Sequence, residues 1–339
     1  MDAIANTPAR EPILSVQGLK TAFGTPEKPL VAVDNVSFDL APGEILGIVG
    51  ESGSGKSITL RSLIGIARPQ ARISGTVLWR GRDLVAMSER ELRRIRGREI
   101  AMIFQEPMSS LDPLMTIGGQ IIENLAAHTD LDSIGRKRRA IELLDLVGIP
   151  AATQRLGNYP HEFSGGMRQR VMIAIALAST PALLLADEPT TALDVTIQDQ
   201  ILRLLTGLSR ELGMSIILVT HDVGVVAQSC DRVAVMYAGR LCETGATRTV
   251  IRTPAHPYTQ GLLASIPVDR PPRTLLSSIP GTPPALSALP PGCAFSARCP
   301  RAEVRCSAAE PVLGAVSNAH LVACHRAGEA VAPPVRASS

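Results

Sequence analysis

The segment Gly50-Glu51-Ser52-Gly53-Ser54-Gly55-Lys56-Ser57 follows an apolar run, Glu44 to Val49, and precedes a helix expected from about Lys56. It is a complete G-x-x-x-x-G-K-S pattern in the strand, loop and helix setting that phosphate-binding loops require. Its glycines let backbone N–H groups wrap a β-phosphate, and the helix N-terminus adds positive dipole. We expect Lys56 to reach the β and γ oxygens and the Ser57 hydroxyl to bind Mg²⁺. The chain is therefore predicted to bind a nucleoside triphosphate.

A second apolar run, Leu183 to Ala186, ends in two adjacent acids, Asp187 and Glu188. Open α/β sheets bind ligands at the carboxyl ends of their strands, so both acids are expected to face the phosphate loop. Asp187 is predicted to hold Mg²⁺, directly or through water, and Glu188 to polarise the attacking water. The loop alone leaves kinases, GTPases and recombinases open, because this fold hosts many functions.

Composition limits the other classes of function. The chain has 339 residues, 45% hydrophobic and 19% charged, so we expect one large nucleotide-binding unit and a smaller appendage. Its formal net charge of +3, its single Trp and the absence of a long basic stripe argue against nucleic-acid binding. The basic run at 136–139 is interpreted as a solvated helix face, with a partner or lipid-headgroup contact as the alternative.

The sequence contains neither a secretory signal nor a segment expected to cross a membrane. Residues 1–12 are polar and lack the apolar core of a secretory signal. The longest apolar stretch, Val171 to Ala186, contains Ser179, Thr180 and Pro181 and is shorter than the roughly 20 residues that cross a bilayer. We expect a cytosolic chain whose membrane role comes through partner subunits.

The order of apolar patterns predicts an α/β fold. Short β-rich runs occur within 13–39, a helical pattern covers about 117–178, and strand signals return at 182–186, 215–220 and 232–237 between helical stretches. Such alternation predicts a parallel sheet with helices packed on it, and the helical block reads as an inserted subdomain. Eight prolines between Ile266 and Gly292 favour an extended connector.

Further motifs lie between and after these elements. Phe163-Ser164-Gly165-Gly166-Met167-Arg168-Gln169-Arg170, about 20 residues before the paired acids, resembles the signature of ABC ATPases. Gln105 resembles that family's Q-loop, Ala192-Leu193-Asp194 its D-loop and His221 its switch histidine. Together with the phosphate loop and the paired acids, these motifs stand in the family's order. Met167 is a departure, since Gln is frequent at that position, and this leaves open whether a polar contact forms there.

The resemblance implies roles for these residues. Ser164, Gly165 and Gly166 at a helix N-terminus make a second anion site, which in ABC ATPases caps the ATP held by the opposite subunit. His221 is expected to bond the γ-phosphate, Asp194 to reach across the dimer interface, and Gln105 to link Mg²⁺ to a transmembrane subunit. Phe23 is the candidate for stacking on adenine, with an ordinary core position as the alternative.

The resemblance also implies a division of the chain. We expect a P-loop ABC ATPase core at 12–253, with a parallel sheet, an antiparallel β subdomain and a helical subdomain at about 117–180. A small extension at 254–327 carries the cysteine cluster. Residues 1–11 and 328–339 are predicted to be disordered ends.

Six cysteines fall into two groups. Cys230 and Cys242 lie in apolar settings and are interpreted as structural. Cys293, Cys299, Cys306 and Cys324 follow the Pro-rich connector with the spacing C-x5-C-x6-C-x17-C. In a cytosolic protein such a group favours a metal over disulfides.

The segment from His256-Pro257-Tyr258-Thr259-Gln260 through these cysteines resembles the C-terminal extension of dipeptide and oligopeptide importer ATPases. The resemblance implies that the four cysteines bind a [4Fe-4S] cluster, with zinc or unliganded thiols as alternatives. It further implies an ATPase with ATP and Mg²⁺ on the cytoplasmic face of the membrane, importing peptides, nickel chelates or glutathione. The expected partners are a second, similar ATPase in a heterodimer, two transmembrane subunits and an extracytoplasmic binding protein, with no nucleic acid.

Two rival functions remain at this level. An ABC-type ATPase of translation or DNA repair typically has two motor domains or a long coiled-coil insertion, and this sequence has neither. In the other rival, the cysteine-bearing extension senses redox state or metal and the ATPase is subordinate to it.

Overall fold

The computed structural model describes residues 11–105, 110–191, 193–266, 278–317 and 319–327. A four-stranded antiparallel sheet of order β2-β1-β4-β5 forms one layer. Its strands are β1 (Leu14–Thr25), β2 (Lys28–Leu40), β4 (Ala71–Trp79) and β5 (Arg82–Asp83). The expected antiparallel β subdomain is therefore present, and the two short runs seen within 28–40 form one continuous strand.

A second sheet has eight strands in the order β11-β12-β10-β9-β3-β8-β7-β6. The strands are β3 (Ile45–Val49), β6 (Ile100–Ile103), β7 (Leu183–Asp187), β8 (Ser215–Thr220), β9 (Arg232–Tyr237), β10 (Arg240–Ala246), β11 (Gly314–Ser317) and β12 (His320–Val322). The five strands β9, β3, β8, β7 and β6 run parallel, as predicted.

The remaining three strands of this sheet are antiparallel, so the sheet is mixed rather than parallel throughout. Only Ala238 and Gly239 connect β9 to β10, and both have positive φ, 48° and 83°. A two-residue turn of this kind reverses the chain into a hairpin, whereas parallel pairing needs a long crossover. The sequence reading missed this hairpin.

Both faces of the parallel strands are buried, which explains their continuous apolar runs. Leu184 and Ala186 of β7 face one hydrophobic cluster, together with Ile216 of β8. Leu183 and Leu185 face the other cluster, which the antiparallel sheet covers. The alternation along each strand thus divides the core into two layers.

Helices fill the space around the sheets. They are α1 (Lys56–Leu63), α2 (Glu89–Ile95), α3 (Ile117–His128), α4 (Ser133–Leu146), α5 (Ala152–Arg155), α6 (Gly165–Ala176), α7 (Val195–Leu212), α8 (Val223–Ser229), α9 (Thr247–Arg252), α10 (Pro257–Ala264) and α11 (Val304–Ala308). Helices α3 to α6 form the predicted helical block, with buried Ile121, Leu144 and Ile173 in one cluster. None of the described helices is long and apolar enough to cross a membrane.

The C-terminal extension is joined to the central sheet. Strand β12 pairs with β10, where Glu243 lies opposite Val322. The Glu243 carboxylate is fully buried and accepts hydrogen bonds from the backbone N–H groups of Ala255 (2.8 Å) and His256 (2.9 Å). It also lies 2.7 Å from Nε2 of His320. One buried carboxylate thereby ties the start of the extension to its last strand.

Some expectations lie outside the described residues. These are the disordered ends, for residues 1–10 and 328–339, and the central part of the Pro-rich connector at 267–277. Ala192 of the D-loop motif is also outside them.

We predict that Glu243→Ala lowers the free energy of unfolding of the nucleotide-free chain by about 3 kcal/mol, because it leaves buried donors unpaired. Urea denaturation measures this loss, and limited proteolysis should report early cleavage within the extension. Glu243→Gln keeps an acceptor oxygen and is the matched control, with a smaller loss. An Ala variant as stable as the native chain would contradict the anchoring role.

Candidate nucleotide site

The phosphate-loop segment connects β3 to α1, as the sequence predicts. Gly55 stands at the N-cap of α1 with φ of 99°, and a Cβ there would lie 2.6 Å from the carbonyl oxygen of Ala32. Only glycine fits this position. The Lys56 ammonium donates to the carbonyls of Gly50 (2.7 Å) and Glu51 (2.9 Å). The lysine is therefore folded over its own loop, next to the backbone N–H groups that would bind phosphate.

Parallel register brings the other motifs to the same edge of the sheet. Val49, the last residue of β3, pairs with Thr220, the last residue of β8. Asp187, the last residue of β7, pairs with Val219. The phosphate loop, the paired acids and His221 consequently begin at neighbouring strand ends. A pocket lined by Ser52, Gly53, Ser54, Gly55, Lys56, Ser57, Gln105 and Glu188, with Ala32, Ile58 and Leu286, opens there.

Asp187 and Ser57 have the donor set that Mg²⁺ requires. The Ser57 hydroxyl donates to Oδ1 of Asp187 at 2.7 Å. The second oxygen, Oδ2, is buried and has no hydrogen-bond partner, and the nearest cation, Arg61, lies 3.8 Å away. Burial raises the pKa of the Asp187 carboxyl, while Ser57 and Arg61 oppose that shift. An orphaned buried carboxylate oxygen beside a hydroxyl fits a hard divalent cation that prefers oxygen ligands.

Several polar side chains contact the carboxylate of Glu188, the residue expected to polarise the attacking water. Its Oε2 accepts hydrogen bonds from Nε2 of Gln105 (3.0 Å) and Oγ1 of Thr191 (2.9 Å), and Nδ1 of His221 lies 3.4 Å from it. Its backbone has a φ of 48°, which is uncommon for a residue with a side chain. Three predicted residues, Gln105, Glu188 and His221, thus meet at one carboxylate oxygen.

Charges within the site act on Lys56. Burial lowers the pKa of its ammonium, and the carboxylates of Glu188, Asp187 and Glu51 oppose that shift without cancelling it. In the nucleotide-free chain the site therefore holds a desolvated cation and several carboxylates at once. A bound Mg²⁺ with a triphosphate would supply the missing counter-charges.

The signature segment lies apart from this pocket. Ser164 is the N-cap of α6 and its hydroxyl accepts from the backbone N–H of Met167 at 3.3 Å. Ser164 and Gly165 are exposed, and neither they nor Gly166 line the pocket of the phosphate loop. Met167 packs against the core cluster of the helical block. In the single chain, Asp194 caps α7 by accepting from Ile197 at 2.9 Å.

Some residues differ from the sequence expectations. Phe23 lies half-buried on β1 and is not among the residues that line the pocket. Sequence reasoning missed Thr191 and Arg61, whose contacts with Glu188 and Asp187 have no motif of their own. It also missed Leu286, a pocket-lining side chain contributed by the extension. Leu286 is far from the phosphate loop in the sequence, and no motif around it indicates that it lies in this pocket.

The four cysteines of the extension line one pocket, with His256 and His325 nearby. All are free thiols, and burial raises the pKa of Cys293 to about 11 and also raises that of Cys299 and Cys324. Across the described ranges, however, no group of three or more His, Cys, Asp or Glu is arranged to hold a metal ion. The donor types suit a thiolate-bound metal, but the thiols as placed do not form its coordination shell.

Cys230 and Cys242 match their structural interpretation. Both pack in hydrophobic clusters, and burial raises the pKa of Cys230 to about 12 and that of Cys242 well above its usual value. Such thiols stay protonated at neutral pH and are unreactive.

Comparison with other proteins places these observations in context. Residues 33–191 match the ABC transporter family, and residues 242–306 match the family described as the C-terminal region of oligopeptide/dipeptide transporters. The dipeptide transport ATP-binding protein DppD of Bacillus subtilis is 49% identical, over 93% of this chain and 94% of its own length. The oligopeptide transport ATP-binding protein OppD of Escherichia coli is 50% identical, over 88% of this chain and 89% of its own.

Solved structures resemble the core. The ATP-binding cassette MJ0796, in a dimeric post-hydrolysis state bound to ADP and Pi, matches with a TM-score of 0.62 and 29% identity, over 69% of this chain and 99% of that one. CbiO1 from Clostridium perfringens, part of the transporter complex cbiONQ, matches with a TM-score of 0.61 and 28% identity, over 71% of this chain and 91% of that one.

We predict opposite effects of Asp187→Asn on stability and activity. Because burial raises the pKa of this carboxyl, the folded chain holds its proton more readily than the unfolded chain, and the charged form costs stability as the pH rises through that raised value. At pH 7 the variant should unfold about 2 °C higher than the native chain without nucleotide, with the gain disappearing in acid. Its Mg²⁺-dependent ATP hydrolysis should fall by at least about a hundredfold.

Differential scanning fluorimetry across pH and a phosphate-release assay measure the two effects. Asp145→Asn, at an exposed position of α4, is the control and should change neither. A lower unfolding temperature for Asp187→Asn than for the native chain at pH 7 would show that the buried Asp187 charge does not destabilise the chain without nucleotide.

Proposed function

The chain belongs to the family of ATP-binding subunits of dipeptide and oligopeptide ABC importers, and from this premise we propose that it hydrolyses ATP between two subunits closed face to face. ABC ATPases of this kind hydrolyse ATP to drive transport, and such subunits dimerise.

One observation carries the composite site. The exposed N-terminus of α6, with Ser164 and Gly165, is a second anion-binding feature that lies outside the pocket of the phosphate loop. One triphosphate on this chain needs only the loop, so the α6 terminus is available to a nucleotide held by another subunit. The exposed Val195, next to Asp194 at the start of α7, also suits a surface that a second subunit covers.

The residues act on ATP by position and charge. Lys56 leaves the loop carbonyls for the β and γ oxygens, and the loop N–H groups hold the β-phosphate. Mg²⁺, held by Ser57 and Asp187, would neutralise charge on the phosphate oxygens. Glu188 accepts a hydrogen bond from the attacking water and orients it. His221 and Gln105, which both lie next to the Glu188 carboxylate, would bond the γ-phosphate and link Mg²⁺ to a transmembrane subunit, respectively. Asp194 and the Ser164, Gly165 and Gly166 segment then complete the site of the opposite subunit.

The partners follow from the importer class. We propose a heterodimer with a second, similar ATPase, docked on two transmembrane subunits at the cytoplasmic face of the membrane and served by an extracytoplasmic binding protein. The cargo is peptide, as in the names of the relatives, with nickel chelates and glutathione as related alternatives. The ATPase dimer would close when ATP binds and reopen after hydrolysis. These motions would move the transmembrane subunits between inward and outward access.

Gly165→Asp tests the composite site directly. A carboxylate at the α6 terminus would repel the γ-phosphate of the opposite subunit's ATP, so turnover of the assembled ATPase should fall by at least about a hundredfold. The affinity of the chain's own phosphate loop for ATP should stay within about twofold, because the two features lie apart. Phosphate release measures turnover, and calorimetric titration of the single chain measures affinity.

Gly165→Ala is the matched control, since its Cβ would lie 3.6 Å from Leu193, an ordinary contact. It should retain most activity. Native turnover in Gly165→Asp would rule out the face-to-face arrangement.

For the cysteine pocket we propose that the extension takes up a thiolate-bound metal group, [4Fe-4S] in preference to zinc. Four free thiols on one pocket support this, although they would have to draw together to bind it.

We predict that anaerobically purified chain contains iron and acid-labile sulfide and has broad visible absorption, and that Cys306→Ser loses them. Elemental analysis and spectroscopy measure the content. Cys230→Ser changes a cysteine outside that pocket and should retain the metal. Zinc without sulfide would select the alternative, and a metal-free chain would remove both.

A further inference from the structure

A buried ion pair joins the extension to the phosphate loop. Arg298, only 7% exposed, donates through both terminal nitrogens to the two carboxylate oxygens of Glu51, at 2.6 and 2.9 Å. This two-point geometry is the strongest form of arginine–carboxylate pairing. Glu51 is the second residue of the phosphate-loop motif, and Arg298 lies 247 positions further along the chain.

Contacts other than those with Glu51 also hold the Arg298 guanidinium in place. Its Nε donates to the carbonyl of Pro280 at 2.8 Å, and one terminal nitrogen also donates to the Tyr237 hydroxyl at 3.2 Å. It lies 5.8 Å from the ring centre of Tyr237 and 5.9 Å from that of Phe295. A side chain held in this way has little freedom left to lose when it binds a carboxylate.

The extension also holds the backbone of the same residue. The hydroxyl of Tyr258, a fully buried side chain at the start of α10, accepts from the N–H of Glu51 at 2.8 Å. Both the main chain and the side chain of Glu51 therefore bond to the extension. The extension therefore holds the start of the phosphate loop through two separate side chains.

Glu51 in turn acts on Lys56. Its carbonyl accepts from the Lys56 ammonium at 2.9 Å, and its carboxylate is among the three whose charge reaches that ammonium. A loop that must bind a polyanion is weakened by an unpaired carboxylate, which repels phosphate and retains the lysine. Pairing with Arg298 cancels that charge.

We propose that Arg298 is a positioning residue for ATP binding, which neutralises Glu51 and holds it so that the loop and Lys56 are free to grip the phosphates. The extension is in this sense part of the nucleotide site. The inference rests on ATP binding at the phosphate loop, which the proposed function includes.

The first test is the dissociation constant of MgATP for full-length Arg298→Ala, measured by isothermal titration calorimetry. We expect binding to be weaker by roughly five- to tenfold, because the unpaired Glu51 carboxylate would repel the phosphates. The effect is limited to this range because water at the exposed part of Glu51 screens some of its charge. Arg252→Ala, an exposed position of α9, is the control and should bind as the native chain does. Unchanged affinity in Arg298→Ala would overturn the proposal.

The decisive variant combines Arg298→Ala with Glu51→Gln. Removing the unpaired carboxylate should return MgATP affinity to within about twofold of the native chain. If Arg298 serves only to fold the extension, Glu51→Gln gives no rescue, and that result would overturn the proposal too.

The outcome is distinguishable from failure of the proposed function. If the native chain binds no MgATP, the assignment of the phosphate loop itself is wrong. If the native chain binds and Arg298→Ala binds equally, only the role of Arg298 is lost.

Discussion

Parallel pairing of β3, β7 and β8 in one register is the constraint on which the nucleotide site depends. Because Val49 pairs with Thr220 and Asp187 pairs with Val219, the chain leaves three neighbouring strands at one edge. The phosphate loop, the two acids and His221 are far apart in the sequence, but they follow neighbouring strands that lie about 5 Å apart. A slip of one residue in this pairing would shift the segments that follow these strands relative to one another and separate the groups of the site.

The same strand arrangement brings the charged side chains of Lys56, Asp187 and Glu188 together in a largely buried site. Burial lowers the pKa of Lys56 and raises that of Asp187, so each group is held in a setting that disfavours its charged form. Glu188 adds a positive φ and a carboxylate oxygen shared by several donors. Strained backbone and desolvated charge of this kind typically mark functional sites, where the ligand supplies what the free protein lacks.

The extension is structurally continuous with the ATPase core. It adds β11 and β12 to the edge of the central sheet, is anchored at the buried Glu243, and reaches the phosphate loop through Tyr258 and Arg298. Cys299 directly follows Arg298, so the cysteine pocket and the ion pair share one short segment. The cysteine pocket is therefore adjacent in the chain to the residue that pairs with the phosphate loop.

The sequence by itself determined the motifs, their order and most of the elements that carry them. Local signals were sufficient there, since a phosphate loop, a strand ending in acids and a helical block are written in consecutive residues. Only the tertiary structure decided the antiparallel end of the sheet, the seating of the extension and the contacts of Thr191, Arg61 and Arg298. These depend on residues far apart in the chain meeting through sheet register and burial, and no local pattern records such a meeting.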